Sequence, residues 1–95
     1  MQHAPRRPKA PRAFAWARDL LYHEATFTKE LTKRATETNH STAEQAAHIA
    51  QKSGAKKLVI GHFSSRYKTL EAFESEAKAV FMNTELAKEG TTYPI

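Results

Sequence analysis

Residues 56–67 read KKLVIGHFSSRY: two lysines, a continuous apolar run, then a polar cluster. Leu58, Val59 and Ile60 lack the apolar–polar alternation of a strand with one wet face. The run therefore predicts a strand covered on both faces, as in a parallel sheet flanked by helices. The polar residues begin where the strand stops. Upstream, residues 38–45 read TNHSTAEQ. Ser41 with Glu44 three positions later makes a capping box, in which hydroxyl and carboxylate each satisfy an unpaired backbone N–H. Ala43, Ala46, Ala47 and Ala50, with Ile49, then form a small-residue face suited to close packing on a sheet, and Gly54 after Lys52 fits a C-cap. A helix over 42–53 is expected, with His40 on the loop just ahead of its cap.

Working outward, residues 19–24 (DLLYHE) contain the apolar run Leu20, Leu21 and Tyr22. They predict a short buried strand that delivers His23 and Glu24 to its C-terminal edge. Residues 25–40 are polar, with threonine at 26, 28, 32, 36 and 38, and read as a loop with a helical turn near 29–34. Beyond the central strand, Leu70, Phe73, Ala77, Val80 and Phe81 define one face of a second helix, capped at Thr69 or slightly earlier. Residues 83–87 read as a short strand, and Glu89-Gly90 as a turn. The sum is β-α-β-α-β, an α/β arrangement with parallel pairing of the first two strands.

At 95 residues the chain has room for one domain at most. It has no cysteine, which excludes a disulfide framework and thiolate metal sites and leaves His, Asp and Glu as the strong ligands. The formal charge of +5 lies wholly in the leader. Residues 1–18 carry Arg6, Arg7, Lys9, Arg12 and Arg18 and no acid, whereas residues 19–95 balance ten Lys/Arg against ten Asp/Glu. Pro5, Pro8 and Pro11 interrupt the same leader, so residues 1–18 are expected to be a disordered basic Pro/Arg-rich tail and residues 19–95 the folded part. Such a tail can touch phosphate non-specifically or be a solvated leader. No apolar run approaches the roughly 20 residues of a membrane span, and no secretory signal is evident, so a cytoplasmic protein with no membrane partner is the expectation.

Polar groups at the carboxyl ends of strands are where α/β proteins place chemistry, which singles out Glu24, His40 and His62. Imidazole ligates metal when neutral and delivers a proton when charged, and a nearby carboxylate orients it. The pattern leaves a metal or acid–base role open beside that of satisfied loop residues. His3 in the leader and His48 in mid-helix have no such placement.

Three segments together resemble one family. Tyr22-His23-Glu24-Ala25-Thr26-Phe27 resembles the His-Glu-Ala-Thr motif of ribonuclease Z, the tRNA 3′-processing endonuclease of the metallo-β-lactamase superfamily. His40-Ser41-Thr42 resembles its His-Ser-Thr motif, 17 residues after His23. Gly61-His62-Phe63-Ser64-Ser65-Arg66-Tyr67 resembles the superfamily's last metal-binding motif, with His62 another 22 residues on. The resemblance covers about residues 19–94. It implies the C-terminal β-α-β-α-β portion of a metallo-β-lactamase-like αββα sandwich and a zinc-dependent endoribonuclease acting on precursor tRNA, homodimeric in the full-length family. It makes His62 a zinc ligand, His40 the residue assisting proton transfer to the leaving oxygen, Glu24 the carboxylate that orients His40 or keeps it protonated, and Arg66 a contact for a substrate phosphate. Ser64 and Ser65 read more simply as turn residues.

The family's His-x-His-x-Asp-His motif, a further histidine and a bridging aspartate have no counterpart in the 95 residues. A catalytic zinc takes about three protein ligands, so the family's two zinc ions are not expected to be held by this chain alone, and the isolated chain is expected to be inactive. One apolar sheet face of Leu20, Leu21, Leu58, Val59 and Ile60 is expected to lack its cover. The alternative function is a small non-catalytic nucleic-acid-binding or interaction module on the inherited scaffold.

Overall fold

A computed structural model describes residues 13–17 and 19–88. The elements run β1 (Ala13–Ala17), β2 (Leu20–Glu24), a 3-10 turn (Lys29–Leu31), α1 (Thr32–Glu37), α2 (Ala43–Ser53), β3 (Lys57–Gly61), α3 (Glu71–Lys78) and β4 (Thr84–Leu86). The strands form one sheet in the order β1-β2-β3-β4, antiparallel between β1 and β2 and parallel across β2, β3 and β4. The α/β class and the β-α-β-α-β order of the sequence reading are what the chain adopts. Two parts of that reading, the leader over residues 1–12 with Arg18 and the turn at Glu89-Gly90, lie outside the described residues. Residues 13–17, assigned by the sequence reading to the tail, pair instead along β2, with a register irregularity between Ala15 and Ala17. A long leader rich in proline and arginine hides such a strand, because its pairing partner, not its own pattern, defines it.

The core lies between the sheet and its helices. Leu21, Leu58 and Ile60 project to the helix side, where Ala43, Ala46, Ala47 and Ala50 of α2 and Phe73 and Ala77 of α3 meet them. The four alanines of α2 are wholly buried, and the absence of longer side chains lets the helix axis approach the sheet closely. Each fully buried Leu, Ile or Phe here contributes on the order of 1.5–3 kcal/mol. The expectation of an uncovered apolar face is corrected. Leu58, Val59 and Ile60 are all 0% exposed and Leu21 is 8% exposed, with only Leu20 half-buried. Val59 points away from α2 and α3 and is flanked in register by Tyr22 and Glu85.

The α2 cap also differs from the sequence reading by one residue. Thr42, not Ser41, is the N-cap: its hydroxyl accepts from Gln45 N–H at 3.1 Å while the Gln45 side chain accepts from Thr42 N–H at 2.9 Å. Both pairs satisfy the same spacing rule, and tertiary bonding decides between them. Phe27 N–H donates to the Ser41 carbonyl and Ala43 N–H to the Phe27 carbonyl, which commits Thr42, between them, to an extended bridge with Phe27 and so to the N-cap position. Gly54 ends the helix in the left-handed region (φ 77°), as expected. The second helix begins at Glu71 and has no side-chain cap.

At the end of β3, a Cβ on Gly61 would lie 2.7 Å from Tyr22 Oη, 3.1 Å from Tyr22 Cε2 and 3.1 Å from Ala87 Cβ. The strand therefore needs glycine where it turns into the polar cluster. Gly61→Ala is expected to lower stability by about 1–3 kcal/mol, an over-packing cost. Introducing Tyr22→Phe, which removes the nearest atom, should recover part of that loss. A double-mutant cycle by chemical denaturation reads the coupling, and purely additive effects would contradict the steric origin.

Candidate active site

The parallel register of β2 and β3 sets Glu24 opposite Gly61, so the last residue of one strand adjoins the first residues after the other. Ala25 N–H donates to the Gly61 carbonyl at 2.8 Å, extending the ladder one step beyond the strands. The two following loops are then stitched together. Ser64 N–H donates to the Thr26 carbonyl at 2.9 Å, and Tyr67 Oη accepts from Thr28 N–H at 3.0 Å and hydrogen-bonds its hydroxyl at 3.1 Å. Phe63 and Tyr67 both pack on Phe73, each with ring centroids 4.7 Å apart, so the 62–67 loop is anchored in the core.

The third segment arrives from α1. Thr38 caps that helix, His40 N–H donates to the Ala35 carbonyl at 2.8 Å, and Asn39 takes the left-handed conformation (φ 59°) that turns the chain back. Asparagine tolerates that region better than most residues. Glu76 on α3 holds the frame from outside: one carboxylate oxygen accepts from Lys29 N–H at 2.8 Å and the other from Glu44 N–H at 2.9 Å. Sequence reading missed Glu76, because a carboxylate on an amphipathic helix looks the same whether it faces water or bridges two distant amides.

Glu24, His40 and His62 therefore meet, and Thr26 stands among them. Thr26 Oγ1 lies 2.7 Å from Glu24 Oε2, 3.2 Å from His40 Nδ1 and 3.1 Å from His62 Nδ1. Thr26 N–H also donates to Glu24 Oε2 at 3.0 Å, and His40 Nδ1 is 3.8 Å from that same oxygen. The two imidazole rings lie 5.5 Å apart, tilted by 32°. Exposure rises outward from buried Glu24, through His40 with its side chain 33% exposed, to exposed His62. Glu24 Oε1 is buried and has no hydrogen-bond partner among the described residues. Such a carboxylate oxygen carries an unmet demand for a donor or a cation.

One ligand atom from each of Glu24, His40 and His62 falls within 4.8 Å of the others, and no other described residues form such a group. Two imidazoles and a carboxylate are the donor chemistry of a first-row divalent metal, which the orphaned Oε1 also suits. The inward-facing Nδ1 atoms are taken by the Thr26 hydroxyl, so the nitrogens open to a metal or a substrate are the Nε2 atoms. Arg66 sits at the rim, with its guanidinium carbon 5.9 Å from the centroid of the Phe27 ring, and that ring meets His40 edge-on at 6.2 Å. Ser64 accepts Arg66 N–H at 3.3 Å, consistent with a turn. Buried His23 lines a pocket together with Gln45, exposed His48 and His40 itself, so that pocket adjoins the cluster through the His40 side. The sequence carried one clue to Thr26: it lies two residues beyond Glu24 in the same motif.

No family model matches the chain. Among curated proteins, the chain is 53% identical to the ribonuclease Z of Cytophaga hutchinsonii over 75 residues, 79% of this chain and 24% of that one. It is 58% identical to that of Bacteroides fragilis over 71 residues, 75% of this chain and 23% of the relative. It is 48% identical to that of Salinibacter ruber over 84 residues, 88% of this chain and 26% of the relative. The chain thus spans about a quarter of the length of the relatives it matches. Ribonuclease Z is a metallo-β-lactamase superfamily member, and the β2-α2-β3-α3-β4 unit is a portion of that fold. No helix among the described residues is long and apolar enough to cross a membrane.

His62 also occupies the left-handed region (φ 63°), where a side chain costs about 1–2 kcal/mol. Strain of this kind is held at functional positions by the surrounding structure. His62→Ala and His62→Gly both lose the Thr26 contact, so their difference isolates the backbone term. His62→Gly should be more stable than His62→Ala by roughly 0.5–1 kcal/mol, the left-handed penalty less the extra chain entropy of glycine. Thermal denaturation of the two variants measures it, and equal stability would contradict the strain.

Proposed function

Because this chain is a segment of the ribonuclease Z family, we propose that it supplies the proton-transfer group and one metal ligand of a tRNA 3′-processing endoribonuclease. The observation that carries this reading is the convergence of all three motifs on Thr26: Glu24 comes from the end of β2 and His40 and His62 from two separate loops, yet each lies within 3.2 Å of one hydroxyl. The substrate is precursor tRNA, and the bond hydrolysed is the phosphodiester after the discriminator nucleotide, leaving a 3′-hydroxyl. His62 would hold a zinc ion through Nε2, together with ligands from outside these 95 residues. When bound, the metal supplies a water acidic enough to act at neutral pH and offsets charge on the phosphate.

The remaining steps belong to this chain. His40, half-buried at the strand ends, holds a proton on the nitrogen that faces outward and gives it to the departing 3′-oxygen, which leaves as a hydroxyl. Buried Glu24, 3.8 Å from His40 Nδ1, helps to orient that imidazole toward the departing oxygen. Arg66, fixed at the rim over Phe27, contacts a substrate phosphate, where a planar cationic fork suits two phosphate oxygens. The active form is a cytoplasmic homodimer containing the full ligand set, and the 95-residue chain on its own is inactive.

The test is complementation of the chain with the remaining three-quarters of the Cytophaga hutchinsonii enzyme, followed by cleavage of precursor tRNA with zinc present. Cleavage is expected with the wild-type chain, with no activity from either piece alone. His40→Ala should lower kcat by about 100-fold or more, the usual size of a general-acid contribution, with little change in KM. A stable but inactive complex, or zinc-dependent cleavage by the 95-residue chain alone, would contradict the proposal.

A further inference from the structure

A hydroxyl has one proton and two lone pairs, and the three side-chain contacts of Thr26 Oγ1 use all of them. The proton is assigned by Glu24. Its Oε2 already accepts Thr26 N–H at 3.0 Å and stands 2.7 Å from Thr26 Oγ1, a distance typical of a hydroxyl donating to a carboxylate. Were the hydroxyl to point at an imidazole instead, two acceptor oxygens would face each other at that distance in a buried site. With its proton on Glu24, Oγ1 keeps only lone pairs for His40 Nδ1 at 3.2 Å and His62 Nδ1 at 3.1 Å. Only an N–H can satisfy them.

We infer that Thr26 is a positioning residue that fixes both His40 and His62 in the Nδ1–H tautomer, leaving the Nε2 lone pair of each ring bare and facing outward. Free histidine in water favours the opposite tautomer, so the hydroxyl reverses the preference at two rings together. Its importance for catalysis rests on the functional reading above. A bare Nε2 on His62 is a ready metal ligand, and a bare Nε2 on His40 is the site that gains a proton and then gives it to the leaving oxygen. His40 Nδ1–H stays on Thr26 throughout that cycle. One side chain thereby couples the ligand and the acid, a coupling that no single-residue motif expresses.

The assignment is tested on the 95-residue chain by long-range proton–nitrogen NMR of the histidine rings, recorded at about pH 8.5, two units above the ordinary imidazole value. Wild type should give pyrrole-type nitrogen at Nδ1 and pyridine-type nitrogen at Nε2 for both His40 and His62, with Thr26→Ser unchanged. Thr26→Val, nearly isosteric and without the hydroxyl, should move both rings toward the Nε2–H form. A wild-type ring with its proton on Nε2 overturns the inference, as does a folded Thr26→Val chain in which both rings keep the Nδ1 proton. The wild-type spectrum decides even if Thr26→Val fails to fold. In the complemented enzyme, Thr26→Val should lower kcat at least tenfold and Thr26→Ser should restore it. An inactive wild-type complement would count against the ribonuclease reading while the tautomers are read independently from the spectra.

Discussion

The parallel register between β2 and β3 is the constraint on which the rest of the site depends. By setting His23 against Ile60 and Glu24 against Gly61, it brings the ends of two strands separated by a long crossover to the same edge. A shift of one residue would send Glu24 to the opposite face and carry His62 away from it. The register is held by the apolar layer beneath it: Leu21, Leu58 and Ile60 face α2 and α3, and Gly61 lies against Tyr22, where a Cβ would crowd that ring and Ala87. The chemistry at the edge is thus positioned by packing several ångströms below.

On that edge the polar groups are arranged by local bonding. The 25–28 loop is tied to the 62–67 loop through Ser64 and Tyr67, and to the start of α2 through Phe27, Ser41 and Ala43. Glu76 closes the outside of the same frame. Each tie is worth only about 0.5–1.5 kcal/mol by itself, but together they fix three loops that would otherwise move independently. The left-handed backbone of Asn39 and His62 fits this picture, because both residues hold costly conformations beside the meeting point.

Much of this was legible in the sequence, and the reasons are physical. The Leu58, Val59 and Ile60 run announces a doubly covered strand, and Gly54 ends α2 as its conformational freedom predicts. The candidate trio of Glu24, His40 and His62 came from the strand-end rule and the three motifs, and the fold brings the three together. What was not legible depends on non-local contacts. Ser41–Glu44 and Thr42–Gln45 satisfy the same capping spacing, and only the bridge to Phe27 selects the second. β1 is concealed by the composition of the leader. The cover over Val59 and the two amides held by Glu76 require the tertiary structure. Thr26 belongs to the same class, since a hydroxyl with one proton and two lone pairs becomes informative only when three partners surround it.

The central claim is that residues from three motifs converge on one hydroxyl, and a nuclear Overhauser spectrum of the 95-residue chain tests it most directly. The γ-methyl group of Thr26 reports the position of its side chain, and the ring protons of His40 and His62 report theirs. With Oγ1 at 3.2 and 3.1 Å from the two Nδ1 atoms, cross-peaks from that methyl to ring protons of both histidines are predicted. Cross-peaks to only one ring, or to neither in a chain with the expected β2–β3 strand contacts, would contradict it.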